Sequence, residues 1–340
     1  MISQREITAE TPLPPPVGAF TRWGYARRMV FGYNRRLIRR RPFGLKEWDF
    51  YQIHSGDWVL QLTIGHVSYM GSFSATLFNL KTGLRTGVVH LRPFPLRSVP
   101  MEENPETPHV LEAGRRDWKL KFETTAEKRF LSMGGRDRKA GNIDIKLTLA
   151  NDPLNEKMVI ATPFKKPGQF YLNYKENYWT VAGHAGIGET MVEFGPEAVA
   201  LLDWGRGVWP FRHEWFWGNG TGTVQGGRFG FNIGWGFGDT SGATENMFFW
   251  QGKAHKLGTI RLERDEADYR RPWRFTDDSN CFDFVMKPVY DNYTETKLLF
   301  VNNRCHQVFG DFSGKAVLPD GEVIQAENFR AFCEHAENQW

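Results

Sequence analysis

Apolar and polar residues alternate with a period of two along much of the chain, as in β-strands that bury one face. Within residues 143–149 every second residue is an isoleucine or a leucine, and mostly polar residues stand between them. The segment 46–94 holds several runs of β-forming residues, interrupted at 55–57 and 81–83 by short glycine-containing turns. These turns predict the hairpins of an antiparallel meander.

The chain from residue 169 onward repeats this style. Further strands are predicted at 170–182, 187–194, 198–203, 223–234, 246–251, 257–263, 281–287, 296–302, 306–318 and 322–327. Segments rich in proline or charge at 93–114 and 151–169 predict loops, and we place a domain boundary at the end of the second one. The same alternation of strands and turns thus fills both halves of the chain.

We therefore predict an all-β protein of two consecutive antiparallel barrels, because closing a sheet removes its exposed edges. The predicted units are an N-terminal arm with a basic segment (1–45), a first barrel (46–168) and a second barrel (169–340) that carries the candidate site. The tail has apolar residues at a spacing typical of an amphipathic helix, namely Phe329, Phe332, Cys333 and Ala336. We accordingly predict a short C-terminal helix.

The composition is that of a globular protein, with 340 residues of which 41% are hydrophobic and 24% charged. No apolar run is long enough for a membrane-spanning helix, and the N-terminal residues lack the pattern of a secretory signal. The cysteines Cys281, Cys305 and Cys333 are far apart in sequence, so we expect reduced thiols and a cytoplasmic location. The net charge of +4 is too small to indicate a nucleic-acid partner. We expect no metal and no cofactor, since neither kind of motif is present.

A basic run lies near the N-terminus, and its most concentrated part is Arg35 to Arg41. Such a run can make a peripheral contact with an anionic membrane. The alternative, which we favour, is an irregular segment whose arginines pair with acids and cover apolar surface. The sequence does not give the oligomeric state.

The segment 200–255 interleaves aromatic and ionisable residues more densely than any other part of the chain. An aromatic-lined cavity that holds a few acids, bases and amides would need residues of this kind. The candidate ligand-binding residues in it are Trp204, Arg206, Trp209, Arg212, His213, Trp215, Trp217, Asn232, Asn246 and His255. The candidate catalytic residues are Asp203 and Glu245.

Each of the two acids has a functional and a structural interpretation. Asp203 stands beside a tryptophan, where loss of water would raise its pKa and make it a proton donor, but it could equally pair with Arg206 or cap a turn as an ionised group. Glu245 precedes an apolar strand and could protonate a ligand or close a hydrogen-bonded turn. Two acids at a suitable separation would also fit a glycosidase.

The histidines and tryptophans also leave two possibilities open. His213 and His255 could act as acids or bases near neutral pH, although a single histidine in a strand more often has a structural hydrogen bond. Most tryptophans are expected to fill barrel interiors. Others could stack on a sugar or stabilise a positively charged intermediate.

Several strings resemble the bacterial family known as domain of unknown function 2804. They are Gln4-Arg5-Glu6-Ile7, Leu202 to Pro210, Gly230 to Gly234, Gly236 to Asp239, Thr244-Glu245-Asn246, Phe309-Gly310 and Glu334 to Asn338. A more distant resemblance, carried by Asp203-Trp204-Gly205, is to the double-lipocalin group of carotenoid hydratases and tocopherol cyclases. That resemblance implies two lipocalin-like (calycin) barrels and a cavity for an apolar, often isoprenoid, substrate.

The leading hypothesis is an enzyme that carries out acid-initiated cyclisation, hydration or isomerisation of an apolar substrate in an aromatic-lined barrel cavity. One alternative is a non-catalytic carrier of a lipid or isoprenoid, which needs the cavity but no acid. The other is a carbohydrate-active enzyme with paired carboxylates and tryptophan platforms for a glycan.

Overall fold

The computed structural model describes residues 4–15, 23–38, 43–95, 98–298 and 301–339. Its strands are β1 Thr11–Leu13, β2 Gly24–Ala26, β3 Phe31–Tyr33, β4 Leu45–Ser55, β5 Trp58–His66, β6 Met70–Asn79, β7 Arg85–Pro93, β8 His109–Gly114, β9 Trp118–Thr124, β10 Lys128–Asp137, β11 Gly141–Ala150, β12 Met158–Pro163, β13 Phe170–Ile187, β14 Thr190–Phe194, β15 Val199–Val208, β16 Arg212–Val224, β17 Gly227–Trp235, β18 Met247–Trp250, β19 Lys253–Lys256, β20 Ile260–Glu263, β21 Trp273–Asp277, β22 Phe282–Leu298, β23 Val301–Val317 and β24 Val323–Gln339. A 3-10 turn covers Arg35–Leu37. The all-β prediction is therefore confirmed.

The strands form two large antiparallel sheets. In the first sheet the order of the described strands is β7-β6-β5-β4-β15-β13-β11-β10-β9-β8, with β12 and β14 paired to β13 and β2 paired to β12. In the second sheet the order is β19-β18-β17-β16-β24-β23-β22-β21-β20. The short strands β1 and β3 pair in parallel beside them.

Each large sheet curls around a core of its own. In the first sheet the two end strands meet, because Arg92 on β7 donates a hydrogen bond of 2.7 Å to the carbonyl of Gly114 on β8. Apolar residues from both ends of that sheet share one buried cluster. The second core is rich in phenylalanine and likewise joins residues of β18 and β20. These two curled sheets confirm the predicted pair of consecutive antiparallel barrels.

A third apolar cluster joins the outer faces of the two sheets. It brings Phe78 and Leu201 of the first sheet against Trp217, Phe309 and Phe332 of the second. The rings of Phe78 and Phe309 are 5.5 Å apart, edge to face. The sheets therefore pack back to back, and residues between them are shielded from water on both sides.

The division between the sheets falls between β15 and β16, since β13, β14 and β15 pair within the first sheet. The boundary predicted at residue 168 instead lies just before β13. The reason is that the loop before β13 holds the short strand β12, which pairs with β13 rather than separating two units.

The predicted C-terminal helix is wrong, because the tail is the 17-residue strand β24, paired on one side with β16 and on the other with β23. Both faces of this strand are covered. Ala331 and Cys333 point into the second core, whereas Phe332 packs between the sheets. Because residues on both faces of β24 are apolar, their spacing in the sequence resembles that of the apolar face of a helix.

The N-terminal arm lies across the second sheet, where the Gln4 side chain forms hydrogen bonds with the Leu257 carbonyl and the Thr244 amide.

In the basic run, Arg35 forms an ion pair of 3.0 Å with the buried Glu47, as predicted by the interpretation in which the arginines pair with acids. Arg39, Arg40 and Arg41 lie outside the described residues. Within the described ranges, no helix has the length and apolar character needed to cross a membrane.

Candidate functional site

A cavity of about 380 Å³ lies between the two sheets. Its wall includes Trp48, Phe50, Gln61, Tyr171, Lys175 and Asp203 from the first sheet and Trp215, Trp217, Glu245, Asn292, Cys305, Gln307 and Glu334 from the second-sheet side. This cavity lies outside the barrels, whereas we expected one inside a barrel from the sequence. The barrel interiors are filled by their own buried side chains, and the space remains where the outer faces meet.

Two rows of directly opposed residues form the polar part of the wall. In the first sheet, Lys175, Asp203 and Phe50 are successive partners on β13, β15 and β4. In the second sheet, Asn292, Gln307, Glu334 and Trp217 are successive partners on β22, β23, β24 and β16. Opposed residues in an antiparallel sheet point to the same face, which explains why residues so distant in sequence meet here.

Asp203 accepts three contacts at the edge of this cavity. Lys175 Nζ is 3.0 Å from Oδ1, Asn173 Nδ2 donates to Oδ1 at 2.6 Å, and Trp48 Nε1 donates to Oδ2 at 3.1 Å. Both members of the ion pair are almost completely buried. Since all three neighbours are donors and one is a cation, the surroundings suit a carboxylate, that is, a proton acceptor.

Lys175 is the cation at the centre of the site. Its ammonium group also lies 3.7 Å from the ring centroid of Trp217. The indole nitrogen of Trp217 donates to Asn232 Oδ1 at 2.7 Å, and Asn232 Nδ2 donates to Glu245 Oε2 at 2.9 Å. A continuous chain of contacts therefore connects Asp203 to Glu245.

Glu245 reaches the cavity over a glycine. A methyl group at Gly234 would come within 2.3 Å of Glu245 Oε1, so the side chain needs the space that this glycine leaves. Burial raises the pKa of Glu245, whereas the positive charge of Lys175 and the hydrogen bond from Asn232 oppose that rise. Glu245 is thus a second acidic group on the same wall.

Glu334 is the third carboxyl group of the wall. Trp215 Nε1 donates to Oε1 at 2.7 Å, and the thiol of Cys305 lies 3.9 Å from Oε2. Burial raises the pKa of Glu334 to about 7, although the Trp215 hydrogen bond acts in the opposite direction.

The aromatic part of the wall is a cluster of rings in edge-to-face contact. Trp209 lies 4.8 Å from Trp48, 4.7 Å from Phe237 and 6.1 Å from Trp215, measured between ring centroids. Tyr171 packs on the same group, 5.4 Å from Trp209. Such packing gives the cavity a rigid apolar surface.

Two of the predicted binding residues face the interior of the first barrel instead. Trp204 Nε1 donates to Glu102 Oε1 at 2.7 Å, and Arg206 pairs with Asp49 at 2.9 Å and with Glu102 at 2.6 Å. Positions 204 and 206 point to the side of β15 opposite to Asp203. For the same reason Asp203 pairs with Lys175 and not with Arg206.

The other predicted residues divide into supporting and remote ones. Asn232 supports Glu245, and His213 stacks on Trp215 at 5.5 Å behind the cavity wall. Arg212 bonds to Gln339 at 3.0 Å on the surface, and His255 stacks on Phe248 at 4.8 Å. Asn246 is a structural amide, accepting from the amide of Gly234 at 2.7 Å and donating to the carbonyl of Gly258 at 2.9 Å.

Sequence reasoning missed several residues of the wall, above all Lys175, Gln307 and Glu334. Lys175 lies in a buried strand whose sequence, FYLNYKENYW, has a charged residue among aromatics, and that was an available signal. Glu334 lies in one of the strings that carry the family resemblance. Because a helix was predicted there, the face on which its side chain lies could not be predicted. Gln307 had no signal of its own.

A separate cluster inside the first barrel brings together Asp49, Glu102 and His109, whose possible ligand atoms lie within 4.8 Å of one another. No sequence motif indicates this cluster, because the three residues are not at metal-ligand spacing. The Arg206 guanidinium contacts both carboxylates at ion-pair distance. Their charge is therefore compensated within the protein.

Comparison with solved structures finds similar architectures at low identity. Kievitone hydratase from Nectria haematococca aligns with a TM-score of 0.47 and 10% identity over 88% of this chain and 90% of that one. A Nitrosomonas europaea protein provisionally assigned as AttH aligns with a TM-score of 0.43 and 10% identity over 87% and 93%. At this identity the activity of neither protein carries over.

No curated protein sequence is significantly similar to the chain. The family model described as domain of unknown function (DUF2804) matches residues 4–340, nearly the whole length. The strings that carry the resemblance are thus parts of one continuous match. The chain belongs to this family.

Proposed function

We propose that the protein is an enzyme that starts a hydration, isomerisation or cyclisation of an apolar substrate by donating a proton inside the cavity between the sheets. The observation that carries the proposal is the pairing, in one aromatic cavity, of a buried carboxyl group with a carboxylate bound to lysine. Glu334 is the first and Asp203 the second. General acid–base catalysis needs one group that holds a proton and one that lacks it.

In the proposed reaction Glu334 donates the proton to one carbon of a substrate double bond. The other carbon becomes positively charged while it is enclosed by the rings around Trp209. The second step is transfer of a proton to Asp203, either from a water that has added to the cation or from a neighbouring carbon of the substrate. Glu245 is a candidate for the same donor role, since its pKa is also raised.

The face of Trp217 is unavailable for stabilising that positive charge, because the Lys175 ammonium lies over it. Stabilisation by cation–π attraction is assigned to Trp209, Trp215 and Phe237, whose rings line the cavity.

The test begins with the compounds that copurify with the native protein, extracted into organic solvent and identified by mass spectrometry. They are then incubated with the protein in D2O. Protonation of carbon leaves deuterium on the product at a position that does not exchange, so we expect deuterium with the wild type and at least a hundredfold slower incorporation with Glu334→Gln. Glu337→Gln, on the exposed part of the same strand, is the matched control and should behave as wild type.

Other outcomes assign the protein to the alternatives. Bound apolar compound with no deuterium incorporation would make it a carrier. Unchanged incorporation in folded Glu334→Gln, but loss in Glu245→Gln, would move the donor role to Glu245. An empty extract together with thermal stabilisation by glycans would replace the proposal with the carbohydrate-active alternative.

A further inference from the structure

We infer that the cavity selects apolar compounds that carry an oxygen acceptor, such as a carbonyl group, and that Gln307 binds this oxygen beside the Glu334 carboxyl. The inference rests on the proposed function, which it makes more specific, since it gives the substrate a polar group next to the reacting carbon.

Gln307 is held in one orientation by two other amides. Its Oε1 accepts a hydrogen bond of 2.7 Å from Gln61 Nε2 and one of 3.2 Å from Asn292 Nδ2. Gln61 Nε2 in turn donates to Gln52 Oε1 at 2.9 Å. A carbonyl oxygen has two lone pairs, and both are used here, so the oxygen end of Gln307 is fully occupied.

The other end of the same amide remains for a ligand. Within the described part of the chain, Gln307 Nε2 donates to no protein group, and Gln307 belongs to the cavity wall. The residue is 5% exposed, so solvent has little access to it. An amide donor that faces an apolar space without a partner is unfavourable, and an acceptor on the ligand removes that cost.

The position of Gln307 relative to Glu334 determines how a bound ligand would be oriented. Gln307 and Glu334 are directly opposed on β23 and β24, so their side chains stand next to each other on the same face. A ligand oxygen that accepts from Gln307 Nε2 would consequently lie on the same face of the sheet as the Glu334 carboxyl group. The rest of the ligand would then lie against the rings around Trp209.

The experiment compares two probes of the same shape, the ketone 1-tetralone and its parent hydrocarbon tetralin, by equilibrium dialysis. We expect the wild type to bind the ketone about two- to tenfold more tightly, the range for one net hydrogen bond. Gln307→Met, which keeps the size of the side chain and removes the donor, should bind both probes equally. Gln52→Leu is the control, because it breaks the same amide chain outside the cavity wall.

A second measurement detects the hydrogen bond directly, because the frequency shift in the wild type does not rely on any variant. The carbonyl stretch of carbon-13-labelled 1-tetralone should fall in frequency on binding to the wild type and return toward the unbonded value in Gln307→Met. Equal binding of ketone and hydrocarbon by the wild type, binding of neither, or a preference that survives in folded Gln307→Met would overturn the inference. Loss of deuterium transfer with a retained ketone preference would remove only the proposed chemistry.

Discussion

Lys175 and Asp203 form a buried ion pair between neighbouring strands, with 3.0 Å between Nζ and Oδ1. Removing the lysine leaves a buried carboxylate without its cation. We expect Lys175→Met to lower the free energy of unfolding by about 3 kcal/mol, and Lys175→Met combined with Asp203→Asn to recover part of that loss. Urea unfolding of the two variants and the wild type measures both values. A double variant no more stable than the single one would contradict this account of the pair.

The stability of the protein should depend on pH through Glu334. Its pKa is about 7 in the folded protein and near 4.5 in the unfolded chain, so between these values the folded state holds a proton that the unfolded state has lost. The contribution of this group to stability is therefore complete below about pH 4.5 and falls as the pH rises to about 7. Relative to the wild type, Glu334→Gln should become more stable as the pH is raised from 5 to 8. A difference independent of pH between the two unfolding curves would contradict the raised pKa.

His213 should stay neutral over the ordinary pH range. Burial lowers the pKa of His213 to about 4. Its ring stacks on Trp215, and its Nδ1 lies 3.0 Å from the Pro210 carbonyl oxygen. The unfolded chain takes up a proton near pH 6.5 and the folded protein does not, so this group lowers stability as the pH falls from about 6.5 to 4. Nitrogen-15 NMR should show no protonation of His213 between pH 8 and 5.5, with His213→Gln used for assignment. A midpoint near pH 6.5 would show that the ring is in contact with water.

Gly205 controls the position of Trp48. A methyl group there would come within 2.1 Å of the indole ring that donates to Asp203. We expect Gly205→Ala to lower the free energy of unfolding by about 1–3 kcal/mol and to move Trp48, seen as a change in tryptophan fluorescence. Gly134→Ala, also in a strand but with nothing within 4 Å of the added group, is the matched control and should lose no stability. Equal effects of the two substitutions would mean that the cost is one of backbone conformation.

The strand pattern was sufficient to predict the all-β class and the two barrels, since period-two alternation reports directly on burial of one face. It could not predict which elements share a sheet, because pairing depends on contacts such as that of β4 with β15, whose strands are far apart in sequence. The error at β24 has the same origin as the missed residues. A strand that is covered on both faces loses its alternation, and with it the information about where Glu334 points.

Asp203 and Glu245 were identified from local sequence, because an acid among tryptophans is a local signal. Their partners could not be identified in that way. Lys175 and Gln307 reach the cavity through cross-strand register, and Gln307 does not differ in its own neighbourhood from a residue on a solvent-exposed strand face. The direction of Arg206 was likewise hidden until the inner and outer sides of β15 were known.

The side chains on the two sides of β15 face different environments. Ala200, Leu202 and Trp204 pack inside the first barrel, whereas Leu201 and Asp203 face the second sheet. Substitutions at the outward positions change the surroundings of a ligand and leave the barrel interior as it is. Descendants of one ancestral protein can therefore diverge in what they recognise while they inherit the same folded core.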